Sequence, residues 1–521
     1  MLPGCVRRAG RTAIVRRTPR FAQGVSLRRT SGFTILTLAA FILSLVATTS
    51  LARADVPGGP PFAWDLEQVD TAGDTGLYTS IALDSHGTPY IAYVDDANGT
   101  VRVAHRTGAG WVSEQVDGPG VFIGSTNLVI GVNDTLQMSY CDQSTRSVKY
   151  ATRGPTGWTV TIVDVAYTEG YTRLALDSLD RPVLVYSWNN GWLRYASWNG
   201  TSWFRETVDS VAIISRYGDI ALDPEDGPHV SYYADGVLRY ATKAGNVWTR
   251  EVVDYTPFAG WYSRIRLDSR GVPHIAYYDS SNGTLRYATQ VGGIWTHLVV
   301  DGKGDPGWDI SFVFDQEDEA QIAYYARIDG SLRFAVSTPG GWVTQTVDSP
   351  GVVGWYTGLA ADEANLPHIS YYDWTHGDLK YAEARIALQV RTAGVSSRTT
   401  SSATLMGELV SLGNHSAAEV SFSFRAEGAA TWSVLSLGLR NITGPFFYSV
   451  TNLTEGGRYE FRAEARSGVE TDFGEVMLFT LPSSAAPSTL PLMLAVALGG
   501  AGAISAAFIL WRRRRKRDGP R

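Results

Sequence analysis

Tyrosine and tryptophan are the side chains whose types and spacing point to chemistry in this sequence. Tyr78, Tyr171, Tyr217, Tyr262 and Tyr356 occupy one register of a repeating pattern. Trp261, Trp308 and Trp355 stand immediately before three of the same register positions. Flat aromatic faces with a polar edge stack on sugar rings or anchor a protein partner; the competing role is to wedge between packed sheets. His229, His274 and His368 share a second register, alongside Tyr90, Gln137, Val183 and Gln321. A metal would need them to converge, and positions on separate repeats radiate apart, so they read as packing residues. Asp84, Asp177, Asp223, Asp268, Asp315 and Asp362 each close an apolar run. There a carboxylate caps the following turn by accepting backbone N–H bonds, with calcium ligation as the alternative. No metal, cofactor or catalytic residue is expected.

The elements that must position these residues come from a repeat. Trp64, Trp111, Trp158, Trp203, Trp248, Trp295 and Trp342 recur at intervals of 45 or 47 residues, a period that marks repeat architecture before any other reading. The clearest unit runs Tyr262-Ser-Arg-Ile-Arg-Leu-Asp268, Pro273-His-Ile-Ala-Tyr-Tyr-Asp279, Leu285-Arg-Tyr-Ala-Thr289 and Trp295-Thr-His-Leu-Val-Val-Asp301. Each piece is short, rich in β-branched and aromatic residues, and closed by Asp, Gly, Asn or Pro, which reads as four hairpin-linked strands. Four antiparallel strands per unit, seven times over, predict an all-β fold: a seven-bladed β-propeller over residues 64–386. Small residues such as Ala276 and Ala288 beside Ile275, Tyr277 and Tyr287 leave room for the aromatics of the next blade. The phase matters. Trp64 to Asp70 lacks three partners of its own, and Leu359 to Ala384 supplies three strands without a fourth. The N-terminal strand is therefore expected to close the last blade, removing two exposed edges.

The pattern Leu-Asp-Ser-x-Gly-x-Pro-His-Ile-Ala-Tyr-Tyr-Asp resembles the repeats of secreted β-propellers of bacteria and archaea, distantly similar to the sialidase superfamily. The resemblance covers about residues 64–386 and implies the architecture. Enzymes of that superfamily need an arginine triad, a nucleophilic Tyr with a Glu, and an acidic general acid in the central cleft. Arg173, Arg264 and Arg266 lie on first strands and Arg216 just before one. The Ser-x-Asp-x-Gly-x-x-Trp box is absent from the turns, and no unit carries a Tyr/Glu pair that breaks the repeat. A non-enzymatic protein is the expectation.

After Arg385 the period stops. Residues 387–481 read as alternating strands, including Ala403-Thr-Leu-Met-Gly-Glu-Leu, Ala418-Glu-Val-Ser-Phe-Ser-Phe and Tyr459-Glu-Phe-Arg-Ala-Glu-Ala. Leu453-Thr-Glu-Gly-Gly-Arg-Tyr459 resembles the tyrosine-corner segment of a fibronectin type III module, and the length suits that sandwich. Seven Asn-x-Ser/Thr sequons, at Asn98, Asn133, Asn199, Asn282, Asn414, Asn441 and Asn452, are glycosylation candidates where a host has the machinery.

Both ends carry export signals. Residues 1–54 hold nine arginines and no acid, then the apolar run Phe33–Ser50 and Ala52-Arg53-Ala54, the pattern of a signal peptide with a long basic region; an uncleaved anchor is the alternative. Residues 482–489 read as a stalk and 490–511 as a transmembrane helix, about 33 Å long at about 1.5 Å per residue. The basic tail 512–521 would stay cytoplasmic. The resulting expectation is a single-pass type I cell-membrane protein with its bulk extracellular. A processed sorting tag is the alternative, although no Leu-Pro-x-Thr-Gly is present.

Setting aside the nine arginines before residue 55 and the seven basic residues and one aspartate after Trp511 leaves 29 of 45 basic and 50 of 51 acidic residues. An acidic body repels phosphate backbones, so no nucleic-acid partner is expected. Of the two cysteines, Cys5 falls in the signal segment and Cys141 in the repeats, so no intramolecular disulfide is expected. The functional expectation is a surface-anchored binding or adhesion protein whose ligand is a glycan or a protein. The alternatives are a glycan-processing hydrolase and a purely structural envelope component. One asymmetric acid cluster in a crevice would favour the hydrolase.

Overall fold

A computed structural model describes residues 62–120, 122–165, 170–189, 191–210 and 216–484. Among these residues the protein is all-β, and its sole helical element is a 3₁₀ turn at Val132–Asp134. The periodic part forms seven four-stranded antiparallel sheets. In the fifth sheet, Ala259–Leu267, Pro273–Asp279, Thr284–Val291 and Ile294–Asp301 pair in sequence order. The other six repeat this meander. Each first strand touches the first strand of the sheets before and after it, and Val353–Ala361 touches Thr75–Leu83, so the seven sheets close a propeller-like ring.

The seventh sheet draws on both ends of the repeat region. Phe62–Asp70 pairs antiparallel with Asp378–Ile386, next to Pro367–Asp373 and Val353–Ala361. The N-terminal strand is thus the outer strand of the last sheet, the arrangement that the phase of the repeat requires.

Packing between sheets repeats as regularly as the strands. A tyrosine on each second strand is almost fully buried: Tyr93, Tyr140, Tyr186, Tyr232, Tyr277, Tyr324 and Tyr371. Its hydroxyl donates to an aspartate 22 or 23 residues earlier, at the end of the preceding sheet's outer strand. The bonds measure 2.6–2.8 Å. At the ring's closure the acceptor is Asp70 on the N-terminal strand. Glycine lets the first strands approach: a Cβ on Gly76, which has φ of +102°, would lie 2.7 Å from Leu379 Cα in the neighbouring sheet. The expected turn capping by aspartate is observed. Asp268, for example, accepts from the N–H groups of Arg270 at 3.0 Å and Val272 at 2.8 Å. The three histidines pack in place, each ring Nδ1 bonded to a third-strand tyrosine: His229 to Tyr240, His274 to Tyr287 and His368 to Tyr381.

Residues beyond the ring form two further sheets. Leu388–Arg398, Ala403–Leu412 and Gly444–Val450 make one. Ser433–Arg440, Ala418–Ala426, Arg458–Ser467 and Glu470–Phe473 make the other, with Met477–Thr480 also pairing to Arg458–Ser467. Their common core includes Leu405, Phe422 and Phe461. The Thr454 N–H donates to the Tyr459 hydroxyl at 2.8 Å. Glu470 joins this unit to the ring by accepting from Arg385 at 2.6 Å, and within the unit it accepts from the Leu388 N–H at 3.0 Å.

The membrane expectation is corrected. Among the described residues no helix is long and apolar enough to cross a membrane, so the single-pass type I topology is not carried by this structure. The segments read as signal peptide (1–54), transmembrane helix (490–511) and basic tail (512–521), and the stalk from residue 485 onward, lie outside the described residues.

Deleting residues 55–72 removes the outer strand of the seventh sheet and the acceptor of Tyr93. The truncated chain is expected to lose its cooperative thermal transition or to melt far lower. A truncated protein that melts as high and as sharply as the full chain would refute closure by this strand.

Candidate functional site

The first strands bring the predicted tyrosines together. In six of the seven sheets the register of the first strand slips near its start, a bulge that re-aims the side chain carried there. At the bulge the backbone is left-handed for Tyr78, Tyr217, Tyr262, Asp309 and Tyr356, with φ between +49° and +57°. Left-handed backbone is costly for bulky residues and marks positions that the surrounding structure enforces. Around the ring the register reads Tyr78, Ser125, Tyr171, Tyr217, Tyr262, Asp309 and Tyr356. The rings touch in sequence: Tyr78 and Tyr356 at 4.5 Å, Tyr171 and Tyr217 at 4.7 Å, Tyr217 and Tyr262 at 4.6 Å. The five tyrosines thus form two arcs of a collar around the central channel, interrupted at Ser125 and Asp309.

The three tryptophans stand behind this collar. Trp261 packs on Tyr217 and Tyr233, Trp308 on Tyr262 and Tyr278, and Trp355 on Tyr356 and Tyr325. Their indole N–H groups are buried, with no partner among the described residues. These three indoles wedge between sheets.

A cleft of about 920 Å³ opens at the junction of the seventh and first sheets. Tyr78 and Tyr356 form part of its wall, together with Tyr372, Trp374, Asp74 and Asp96. Trp374 lies against Trp355 at 4.8 Å yet keeps 53% of its surface exposed. Asp74 accepts from the Tyr372 hydroxyl at 2.7 Å, and Asp96 is exposed. An aromatic face beside two carboxylate edges suits a polyhydroxyl ligand: the ring covers C–H faces and the carboxylates accept from hydroxyls. Sequence reasoning missed Trp374. The signal was present, because no other repeat has an aromatic residue directly after the aspartate, alanine or tryptophan that ends its second strand.

Two positions further along the first strands lies a polar ring: Ser80, Asn127, Arg173, Asp219, Arg264 and Ser311, with Gly358 in the seventh place. These residues line a second cavity of about 300 Å³ within the channel, which Arg266 also reaches. Asp219 binds the Arg266 guanidinium at 2.9 Å and lies 3.7 Å from that of Arg173. Burial pushes the Asp219 carboxyl up, but Arg266, Arg264 and Arg173 outweigh it and hold the group below the usual carboxylate range. Burial lowers Arg264 to about 9, and repulsion from Arg173 adds to the effect. Asp309 goes the other way. Burial raises it to about 6 against the Tyr356 N–H bond and the attraction of Arg264 and Arg173. Burial also raises the phenols of Tyr262 and Tyr356, with Asp309 adding to each. The seven sequon asparagines all lie on exposed turns or loops. The side-chain amides of Asn98 and Asn282 bond to Asp95 and Asp279 in their own hairpins.

No family model and no curated protein matches the chain. Among solved structures, the Aleuria aurantia lectin in complex with Fucα1-6GlcNAc is similar at 15% identity, covering 52% of this chain and 96% of its own, with a TM-score of 0.40. AofleA from Arthrobotrys oligospora is similar at 13% identity over 57% of this chain and 93% of its own, TM-score 0.40. A Dyadobacter fermentans protein of unknown function is similar at 11% over 63% and 100%, TM-score 0.40. With TM-scores below 0.5, these likenesses bear on neither ligand nor activity.

Asp309 gives the channel a pH signature. Its folded carboxyl holds a proton more tightly than the unfolded one, so stability rises as pH falls from about 6 toward the unfolded value near 3.8. Above pH 6 the burial cost is present in full, about 1–3 kcal/mol once channel water screens part of the field. Asp309→Asn should therefore raise the Tm at pH 7.5 and lose that advantage by pH 4. Melting curves of both proteins across this window test it, and a constant difference would refute the assignment.

Proposed function

We propose that the chain is a glycan-binding protein: a seven-bladed β-propeller that takes its ligand in the cleft between its last and first blades. The carrying observation is Trp374, an exposed indole beside Tyr78 and Tyr356 with Asp74 and Asp96 at the rim. Large exposed aromatics cost solvation free energy when they face water alone, and they contribute most to binding when a ligand covers them. Residues 387–481 follow as a fibronectin type III-like domain. The strand order of its two sheets and the Thr454–Tyr459 bond, placed like a tyrosine corner, support that reading.

Binding is favoured over hydrolysis for a physical reason. The channel does hold an asymmetric charged cluster, but its ionised carboxylate is not free to act as the nucleophile or base that a retaining or inverting carboxylate pair requires. Asp219 is locked in bonds to Arg266 and to the Ile265 N–H at 3.0 Å. The phenols of Tyr262 and Tyr356 are held protonated by burial, the opposite of what a nucleophile requires.

A glycan array probed with the full chain and with Trp374→Ala tests the proposal. The expected result is binding by the full chain, reduced at least tenfold in the variant at an unchanged melting temperature. Equal signals from both proteins would exclude this cleft, and an array without any bound glycan would exclude the ligand class.

A further inference from the structure

The polar ring in the channel has a structural task that three of its seven positions perform. Ser80 Oγ accepts from the Leu128 N–H of the next sheet at 2.9 Å, Asn127 Oδ1 from Leu174 N–H at 2.6 Å, and Asp219 Oδ2 from Ile265 N–H at 3.0 Å. Each such bond satisfies a buried backbone donor and ties neighbouring sheets. Arginine has five donors and no acceptor, so Arg173 and Arg264 cannot do this work. The fold does not call for them, yet both stand in the ring beside the one aspartate.

Their charge is only partly balanced by the protein. Three guanidiniums, those of Arg173, Arg264 and Arg266, face the cavity with Asp219, and the Asp309 carboxyl is near enough to Arg173 and Arg264 to feel their field. Asp219 is engaged by Arg266 at 2.9 Å and by Arg173 at 3.7 Å. Arg264 donates to its neighbour Ser263's carbonyl at 2.8 Å, which leaves guanidinium donors turned to the cavity. Arg173 and Arg266 keep 15% and 34% of their side-chain surface accessible. Buried cations without counter-ions are costly, and guanidiniums are well matched to planar or tetrahedral oxyanions. Beyond the ring the channel wall is small: Ala82, Ala175, Ala221 and Ala360 occupy four of the seven next inward positions and stay partly exposed. The space is about 300 Å³.

We infer that the central channel is an anion site, taking one small oxyanion (a carboxylate, sulfate or phosphate group) on Arg264 and Arg173, with Arg266 at its edge. The site is separate from the cleft at Trp374 and does not depend on the glycan reading. Asp219 fixes the direction of Arg266 and Arg173, while Arg264 supplies the free donors.

Calorimetric titration of the full chain with sulfate, phosphate and glucuronate, at constant ionic strength balanced by chloride, tests this inference. At least one anion is expected to bind saturably, at one per chain. Glucuronate alone would mark the acid group of a sugar as the source, and sulfate or phosphate binding would mark a free inorganic anion. Arg264→Gln should weaken binding at least tenfold and Arg264→Lys less. Ser311→Asp, which adds an acid to the same ring while leaving every guanidinium in place, should weaken it as well. Trp374→Ala should leave it unchanged. The inference fails if none of the three anions binds saturably, if Arg264→Gln and Ser311→Asp both bind like the parent, or if Trp374→Ala abolishes binding.

Discussion

The ring depends on one repeated interaction, a buried tyrosine hydroxyl donating to the aspartate that ends the preceding sheet. It occurs at all seven junctions, with a separation of 23 residues at six and 22 at the seventh. A phenol buried without an acceptor and a carboxylate without donors would each carry a desolvation cost, whereas the pair satisfies both and gains a charge-assisted bond. A base on the third strand completes the arrangement at five junctions: Lys149 to Asp117, Arg194 to Asp164, Arg286 to Asp254, Arg333 to Asp301 and Lys380 to Asp348. Each bond crosses from one sheet to the next, so sheet-to-sheet spacing is set by hydrogen-bond length as well as by apolar packing. Because the last of these acceptors, Asp70, lies on the N-terminal strand, the ring cannot complete its set until that strand has docked.

Much of this was legible in the sequence because repeats average out local ambiguity. A single stretch such as Pro273–Asp279 is an ambiguous apolar run; seven equivalents with turn residues at fixed offsets are not. The displaced first strand followed from counting, since Trp64–Asp70 had no partners and the last repeat lacked one. The turn-capping aspartates followed from local chemistry, because acceptor and donors lie within four residues. The Tyr–Asp pairs were harder. Asp254 and Tyr277 are both visible, but their partnership spans two sheets, and nothing local distinguishes that aspartate from a strand-ending turn former. The membrane expectation rested on terminal segments that lie outside the described residues.

The candidate site divides along the same line. The tyrosine register was readable because five repeats share it, and the structure turns it into a collar. What the sequence could not supply was the depth of each aromatic. Trp261, Trp308 and Trp374 look alike as letters, yet the first two are sandwiched by tyrosines and the third is half open to solvent. Depth is a tertiary property: it depends on which hairpin leans over which bulge. Asp309 is a similar case. Its place in a tyrosine register was available from the alignment of repeats, but its raised proton affinity comes from burial, which outweighs opposing neighbours on three other sheets.

A ring of near-identical units separates structural positions from functional ones. Residues that fill the same place in every repeat serve the ring, and the buried tyrosines and capping aspartates are of this kind. Departures from the pattern that bring no packing gain are the positions where a local rule has been given up for another purpose. Trp374, Asp309, Arg173 and Arg264 are departures of this sort, and they fall at two places, the closing seam and the channel. The seam is the one junction assembled from both ends of the repeat region, so its residues are the least constrained to match the others. The channel is the one surface that all seven units share, so a change in a single unit alters the environment of the whole cavity. Asymmetry placed at either point gives the symmetric ring a single distinct site without weakening the interactions that hold it closed.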